Sequence, residues 1–427
     1  MRDAHVCVRS LRSQTNMAKI GIDIRNIGRK RTGDEAVFFN LAKNLAKIDQ
    51  KNEYLLFTDR TEKSTIDGIA GRLGIEGQDN CKIITLKTFN RFTWNFWALP
   101  SYLRKNPIDV YHTQYITPFF VPKRINPHTK ITGIMAPLKK LLMKLRMKYF
   151  GEGVKIVTTI HDISFNFFHH FIKFLDLFFL KILIPNSLRR ADKVIAVSKF
   201  TRDEIIKYYG VNPEKIEWVY NAGPDDFLEK NVSPVQLEKV RKKYDLPEKF
   251  ILYLGTMQPR KNLSLLVEAF GKVKEKIPDL ELVLVGGKNA YNFDKEIGKT
   301  IHKNSLSGDV IFPGFVPEEE KLAFFRLAEI FCFTSLYEGF GIPILEAFSA
   351  GTPVIASEIP VHREVAGDAA LFFDVSSSDD LAEKIYQICS NEGLRGKLIE
   401  KGKVQAGKFS WQAAAEKTLR IYEKLLI

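Results

Sequence analysis

The 427-residue chain lacks several features that would assign it at once to a class of protein. It has no uninterrupted apolar run of the roughly 18 residues that a membrane-spanning helix takes, so no such helix is predicted. Its four cysteines are scattered and form no C-x-x-C pair, which argues for reduced thiols in the cytoplasm and against a structural metal site. No D-x-D triplet occurs, so we expect no carboxylate clamp for a divalent metal on a diphosphate.

Residues 1–16 lack both the apolar core of a secretory signal and any hydrophobic periodicity. The first run that predicts a strand is Ile20–Ile24, shortly after Met17. We therefore expect residues 1–16 to be disordered or foreign to the native protein, and Met17 to be the natural start.

Hydrophobic residues make up 45% of the chain, which is enough to fill the cores of two domains. The chain also has an excess of positive charge. Its 64 Lys and Arg against 50 Asp and Glu give a formal net charge of +14. This charge predicts an anionic partner, which could be a nucleotide diphosphate, anionic lipid or nucleic acid. A non-enzymatic basic protein is one interpretation, but no nucleic-acid-binding module is evident, so we expect no nucleic acid partner.

The stretch from Ile330 to Ser357 has the pattern of a strand, a loop and a helix. Ile330–Thr334 is an apolar run typical of a buried strand, residues 335–341 form a loop with two glycines, and Gly351 ends the helix that follows. This arrangement places free N–H groups and the positive end of a helix dipole at the carboxyl edge of a sheet. The stretch therefore predicts a phosphate site.

Two glutamates flank this loop, Glu338 within it and Glu346 on the helix. Because carboxylates repel phosphate, we interpret them as acceptors for sugar hydroxyls on either side of a diphosphate. For either glutamate alone, simple compensation of the helix dipole is an equally good explanation.

The spacing of the two glutamates, with Gly-Phe-Gly-Ile-Pro between them, resembles the signature of retaining glycosyltransferase family 4, also called glycosyl transferases group 1. The resemblance implies that Glu338 contacts the donor sugar and Glu346 the nucleotide ribose. It also implies that the backbone amides of Phe340, Gly341 and Ile342 lie near the diphosphate.

The resemblance extends from about Met17 to Ile427 and implies an α/β protein of the GT-B architecture, in which two Rossmann-like domains face each other across a cleft. We expect residues 17–223 to form the acceptor-side domain and residues 224–408 the nucleotide-sugar domain, since the loop-forming cluster around Gly223 and Pro224 marks a boundary. Residues 409–427 are expected to form a helix that packs back on the first domain.

A second glycine loop, Gly255–Asn262, contains adjacent Arg260 and Lys261 just before a helical pattern. Two cations there can neutralise a pyrophosphate, whereas a merely basic helix start is disfavoured by the dipole. The resemblance implies that both side chains bind the donor diphosphate and that Gly255 lies beside the donor. It also implies that Val316, in the segment Gly314–Pro317, contacts the nucleotide base.

The first domain contributes two further candidates. The basic loop that ends at Gly33 could hold an anion or be a solvated turn; the resemblance implies that Gly33 faces the donor, although Gly33-Asp34-Glu35 replaces the commoner Gly-(Ile/Val)-Gly. His161 follows a predicted strand at the edge that opens on the cleft. A structural hydrogen bond would explain a strand-end His-Asp pair, but the resemblance implies that His161 lies near the donor sugar.

Two segments favour a membrane surface or a buried helix. Leu138–Tyr149 has leucines on one helical face and five basic residues elsewhere, the pattern of a basic amphipathic helix. Phe165–Ile184 is rich in aromatics but too charged to span a bilayer. Either could instead pack inside the first domain.

The sequence thus predicts a metal-independent retaining hexosyltransferase without a cofactor. Its expected donor is a nucleotide diphosphate sugar, GDP-mannose or a UDP-hexose, and its expected acceptor is a hydroxyl of a glycan or a lipid-linked glycan. The expected location is the cytoplasm, with the inner face of the membrane as an alternative. A GT-B epimerase or phosphorylase is the alternative activity, although nothing marks the lysine that a pyridoxal phosphate phosphorylase would need.

Overall fold

The structure, a computed structural model, describes residues 17–29, 33–118, 153–172, 174–224, 227, 230–287 and 292–427. The predicted amphipathic helix Leu138–Tyr149 and the expected extension 1–16 lie outside the described residues.

The first domain is built on a seven-stranded sheet in which every neighbouring pair of strands is parallel. The strand order is β3-β2-β1-β4-β5-β6-β7. Its strands are β1 Lys19–Asp23, β2 Glu53–Thr58, β3 Cys81–Thr85, β4 Val110–Gln114, β5 Lys155–Ile160, β6 Lys193–Ala196 and β7 Ile216–Trp218. The helices that connect them include α1 Gly33–Ile48, α2 Lys63–Leu73, α3 Leu99–Lys105, α4 Phe174–Arg190 and α5 Lys199–Tyr209.

The second domain has a six-stranded parallel sheet with the order β10-β9-β8-β11-β12-β13. Its strands are β8 Lys249–Leu254, β9 Leu280–Val285, β10 Val310–Gly314, β11 Ile330–Phe333, β12 Val354–Ser357 and β13 Leu371–Phe373. Its helices include α6 Pro234–Tyr244, α7 Leu263–Lys274, α8 Glu296–Lys303, α9 Glu318–Leu327, α10 Ile342–Ala350, α11 Pro360–Ala366, α12 Ser378–Ser390 and α13 Glu392–Ala406.

The strands of both sheets are apolar because helices cover both faces of each sheet. In β8, for example, Phe250 and Leu252 point into one buried cluster while Ile251 and Tyr253 point into another. Strands buried in this way appear in the sequence as continuous apolar runs, which explains why most of them could be predicted. The two Rossmann-like sheets confirm the expected α/β architecture.

The last helix, α14 Trp411–Leu426, belongs to the first domain although it follows the second. The Ser410 hydroxyl caps it by accepting a hydrogen bond from the N–H of Ala413. Its buried residues Trp411, Ala415 and Tyr422 lie in the same cluster as Phe38 of α1. The predicted crossing back of the final helix is therefore confirmed.

The aromatic run Phe165–Ile184 is not one helix. Short 3₁₀ turns occupy Ser164–Asn166 and His169–Phe171, and α4 begins only at Phe174. Within the described part of the chain, no helix combines the length and the apolar character needed to cross a bilayer.

Candidate active site

The carboxyl ends of the two sheets carry the candidate residues. In each sheet the strand order reverses direction along the sequence at one point, between β1 and β4 in the first and between β8 and β11 in the second. Open α/β sheets bind ligands in the crevice outside such points, because the connections on either side of it leave in opposite directions. Arg260 and Lys261 follow β8, and Glu338 follows β11, so the second crevice brings them together.

Close backbone contacts shape the loop after β8. A side chain on Gly286 would meet the carbonyl oxygen of Gly255 at 2.1 Å, so the loops after β8 and β9 touch as main chains. Pro259–Lys261 forms a 3₁₀ turn, and Asn262 takes a left-handed conformation before α7. This turn directs Arg260 and Lys261 toward the loop after β11, residues 335–341, which we call the donor loop.

Glu338 of the donor loop forms ion pairs with both cations. Its Oε2 lies 3.1 Å from Nη1 of Arg260, and its Oε1 contacts Nζ of Lys261. All three side chains are largely buried. Burial by itself would raise the pKa of the Glu338 carboxyl, but Arg260 and Lys261 together hold that pKa below its usual value. The site therefore contains a charged carboxylate between two cations.

The pKa of Lys261 is lowered. Burial is the largest cause and the positive charge of Arg260 the second, whereas Glu338 raises this pKa. A diphosphate would supply further negative charge beside both cations. It would favour their charged forms and would compete with Glu338 for them.

The helix α10 presents its N-terminus at the end of the donor loop. Gly341 has φ +109°, a conformation that favours glycine, and it directly precedes the helix. The ring of Phe340 packs on Tyr220 and Phe409, and Ile342 packs against clusters of both domains. Phe340, Gly341 and Ile342 could therefore reach a diphosphate only through their backbone N–H groups.

Glu346 lies on α10 and is almost fully buried. Its Oε1 is 3.4 Å from Nζ of Lys321, which also pairs with Glu318 at 2.7 Å. Lys321 gives the carboxylate a fixed cationic neighbour. The side chain of Val316 lies in the core of the second domain, so any contact of this residue with a nucleotide base must use its backbone.

His161 lies at the carboxyl end of β5 and is nearly buried. Its Nε2 is 3.2 Å from Oε1 of Gln114, and its Nδ1 is 3.6 Å from Oδ1 of Asp34. Asp34 follows Gly33, the first residue of α1, so the predicted first-domain candidates share one sheet edge.

The two halves of the site meet at Gly339. A side chain on Gly339 would lie 1.7 Å from the carbonyl oxygen of His161, so the donor loop rests directly on the end of β5. The structure thus places Arg260, Lys261 and Glu338 of the second domain beside His161 of the first.

Three side chains of this region were not predicted as site residues. Gln114 is the last residue of β4. Asp34 is a departure from the family pattern, and Lys321 belongs to a charged run that could equally face solvent. The sequence has no signal for the contacts of Gln114 and Asp34 with His161 or of Lys321 with Glu346, because each joins residues far apart in the chain. Among the described residues, no group of three or more His, Cys, Asp and Glu could hold a metal ion.

Two Rossmann-like domains, each built on a parallel sheet with a crevice at the carboxyl ends of its strands, define the GT-B fold. The sequence matches the family model for Glycosyltransferase Family 4 over residues 32–223 and the model for Glycosyl transferases group 1 over residues 236–405. The chain belongs to glycosyltransferase family 4.

Curated relatives are similar to the chain in sequence, and a solved structure is similar to it in fold. The chain is 30% identical to O-antigen chain mannosyltransferase B of Escherichia coli over 64% of its own length and 71% of that protein. It is 27% identical to the serotype-specific mannosyltransferase WbdA of E. coli, but it spans only 30% of that longer protein. The crystal structure of a glycosyltransferase from Rickettsia africae is similar in fold, with a TM-score of 0.68 at 20% identity, and covers 96% of this chain and 99% of that one.

Proposed function

We propose that this glycosyltransferase moves a mannosyl group from GDP-mannose to a hydroxyl of a growing glycan, with retention of anomeric configuration. The proposal rests mainly on Arg260 and Lys261. Both are buried at the crevice of the second sheet, where they pair with Glu338. Two adjacent cations suit a diphosphate, and the neighbouring carboxylate suits sugar hydroxyls. The mannosyl group is proposed because the relatives described above are mannosyltransferases.

In the proposed reaction the acceptor oxygen attacks C1 of the sugar from the face that the diphosphate leaves. The bond between C1 and the phosphate oxygen breaks, and a β-phosphate oxygen takes the acceptor proton. Negative charge grows on the diphosphate during this step, so cations fixed beside it lower the barrier more than they stabilise the bound donor. Arg260, Lys261 and the N-terminus of α10 supply this stabilisation without a metal ion.

The donor can be tested by incubating the protein with a panel of nucleotide sugars, with and without mannan-type acceptor oligosaccharides. We expect slow hydrolysis of GDP-mannose alone and faster mannosyl transfer with acceptor. A preference for a UDP-hexose would replace the donor assignment. Conversion of the nucleotide sugar to its epimer, or phosphate-dependent cleavage of the glycan, would show one of the alternative GT-B activities.

Metal independence has its own test in the same assay. After treatment with EDTA and desalting, the protein should retain most of its transfer rate, because the diphosphate charge is met by side chains. Loss of activity on chelation, with recovery on addition of Mg²⁺ or Mn²⁺, would contradict this part of the proposal.

We further propose that the first domain docks on an anionic bilayer and takes a lipid-linked acceptor there. Phe174, Phe178 and Ile182 recur at every fourth residue of α4 and are 78%, 51% and 50% exposed. Residues with this spacing share one helical face, so they form a continuous apolar stripe. Exposed Lys181 lies on the same helix, and the net charge of +14 would favour an anionic surface.

Docking can be tested by sedimentation with vesicles of phosphatidylcholine and phosphatidylglycerol at low salt. Replacing Phe174, Phe178 and Ile182 with Ser should abolish binding without changing nucleotide affinity. The matched control replaces Val235 and Val404, exposed apolar residues of the second domain, with Ser. If the parent protein does not sediment with these vesicles, a soluble glycan is the acceptor.

A further inference from the structure

The donor loop belongs to the second domain in sequence, yet the first domain surrounds it. Tyr337 is buried within a cluster formed by first-domain residues. Its ring centroid lies 5.4 Å from that of Phe167 and 5.6 Å from that of Phe200. The residue before Glu338 is therefore anchored across the domain boundary.

The residue after Glu338 is anchored as well. The carbonyl oxygen of Gly339 accepts hydrogen bonds from the hydroxyls of Ser198 at 2.6 Å and Thr201 at 2.9 Å. Both donors are fully buried first-domain residues at the start of α5. Ser198 also caps α5, since its Oγ accepts a hydrogen bond from the N–H of Thr201 at 2.9 Å. The hydroxyl of Ser198 thus caps α5 and also binds the donor loop.

A second contact fixes the same helix end to the second domain. The carboxylate of Glu364, on α11, accepts hydrogen bonds from the backbone N–H groups of Lys199 at 2.6 Å and Phe200 at 2.8 Å. A carboxylate at a helix N-terminus is favoured by the helix dipole. The start of α5 is therefore held between Glu364 on one side and the carbonyl of Gly339 on the other.

We propose that Thr201 and Ser198 are positioning residues that set the place of Glu338 through the backbone of Gly339. Glu338 is bracketed by Tyr337 and Gly339, both fixed by the first domain, so its carboxylate is placed by both domains together. The relative position of the domains then determines whether Glu338 sits correctly beside the cations and the sugar. This inference rests on the proposed role of Glu338 in the transfer reaction.

The test compares two substitutions of one residue. Thr201→Val removes the hydroxyl but keeps the shape, whereas Thr201→Ser keeps the hydroxyl. Small displacements of reacting groups reduce rates strongly, so we expect Thr201→Val to lower kcat by about tenfold or more. Thr201→Ser should restore kcat to within a factor of about two, and GDP affinity should be unchanged in both, because the cations of the second domain are untouched.

A matched control is Thr418→Val in α14. Thr418 is also buried, and its hydroxyl also donates to a backbone carbonyl, that of Ala414 at 2.8 Å, but this bond joins two residues of α14 and does not involve the donor loop. We expect Thr418→Val to lower the thermal midpoint of unfolding about as much as Thr201→Val while kcat stays at the parent value. A loss of kcat that follows stability equally in both variants would overturn the proposal.

Parent-level kcat in Thr201→Val, or failure of Thr201→Ser to restore it, would also overturn the proposal. If Thr201→Val does not fold, Glu364→Ala takes its place, with a lower kcat and unchanged GDP affinity expected; parent-level kcat there is the contrary result. A parent protein that binds GDP but transfers no sugar would instead reject the proposed function, so the two failures differ.

Discussion

Among single residues, Glu338 should have opposite effects on the binding of the sugar and on the binding of the diphosphate in the proposed site. In the proposed reaction its carboxylate accepts hydroxyls of the transferred sugar. Because Glu338 pairs with Arg260 and Lys261, its charge would also compete with a diphosphate for these cations. Binding of the sugar and binding of the nucleotide should therefore respond differently when this charge is removed. A glutamate that only compensates the dipole of α10 would not produce this difference between sugar binding and nucleotide binding.

We expect Glu338→Gln to lower kcat by at least tenfold, because a hydrogen bond to a charged group is worth roughly 1.5–3 kcal/mol. Affinity for GDP should stay the same or increase, since a competing negative charge is gone. Isothermal titration with GDP and steady-state kinetics measure the two quantities. Glu358→Gln is the matched control, because Glu358 is an exposed glutamate that pairs with Arg363 in the same domain. Weaker GDP binding in Glu338→Gln would contradict the competition.

Glu346 should behave in the opposite way. If it accepts hydrogen bonds from ribose hydroxyls, Glu346→Ala removes them and weakens GDP binding about tenfold to a hundredfold, which is the equivalent of roughly 1.5–3 kcal/mol. Glu400→Ala, at an exposed site, serves as the control. A dissociation constant for GDP within a factor of about two of the parent value would reject the ribose assignment.

At the scale of elements, His112 connects two strands to the final helix. It is buried on β4, and its ring nitrogens lie 2.5 Å from the hydroxyl of Tyr422 on α14 and 2.7 Å from that of Thr159 on β5. Burial, and to a smaller extent His161, lower the pKa of His112 to about 3. A histidine in the unfolded chain has a pKa of about 6.5, so the unfolded state binds the proton more tightly.

This difference predicts a loss of stability on acidification. Above about pH 6.5 neutral His112 makes its full contribution to the free energy of unfolding. This free energy decreases as the pH falls toward 3, and by pH 5 about 2 kcal/mol is lost. Urea unfolding at pH 7 and pH 5 should therefore show a smaller difference in His112→Asn than in the parent. His302→Asn, at an exposed histidine, should keep the parent difference. An unchanged difference in His112→Asn would show that His112 does not titrate in this way.

Some of the strands and helices could be predicted from the sequence, and others could not. Strands such as β11 could be predicted, as Ile330–Thr334, because burial on both faces leaves an apolar run. The three-residue edge strand β13 has no distinct sequence pattern, because so short a run cannot show periodicity. The run Phe165–Ile184 has aromatics on both sides of the start of α4, so its composition does not mark where that helix begins.

The candidate site was predictable only in part for a related reason. Glycine loops and paired charges are local signals, so Arg260, Lys261 and Glu338 could be named. That Glu338 pairs with residues 77 and 78 positions earlier depends on β8 and β11 being neighbours in the sheet. The hydroxyls that hold Gly339 come from the other domain, and no sequence pattern connects them.

At the scale of the whole molecule, contacts near the chain crossings join the two domains. The rings of Tyr220, Phe340 and Phe409 pack on one another, and each comes from a different part of the chain. Together with the hydrogen bonds to Gly339, they keep the donor loop in contact with the first domain. The site is thus a property of the assembled pair of domains.

In the proposed reaction, Arg260 and Lys261 stabilise the charge that grows on a leaving diphosphate. The most direct test of this role is kcat for mannosyl transfer by Arg260→Ala, with Arg363→Ala, an exposed arginine of the same domain, as the control. Removal of one such preorganised donor lowers rates by about 10²–10³, so we expect that loss of kcat in Arg260→Ala and parent-level kcat in Arg363→Ala. Because Arg260 pairs with the buried Glu338, its removal should also lower the unfolding midpoint, so kcat is compared at a temperature where both variants are folded. Parent-level kcat in a well-folded Arg260→Ala variant would contradict the account.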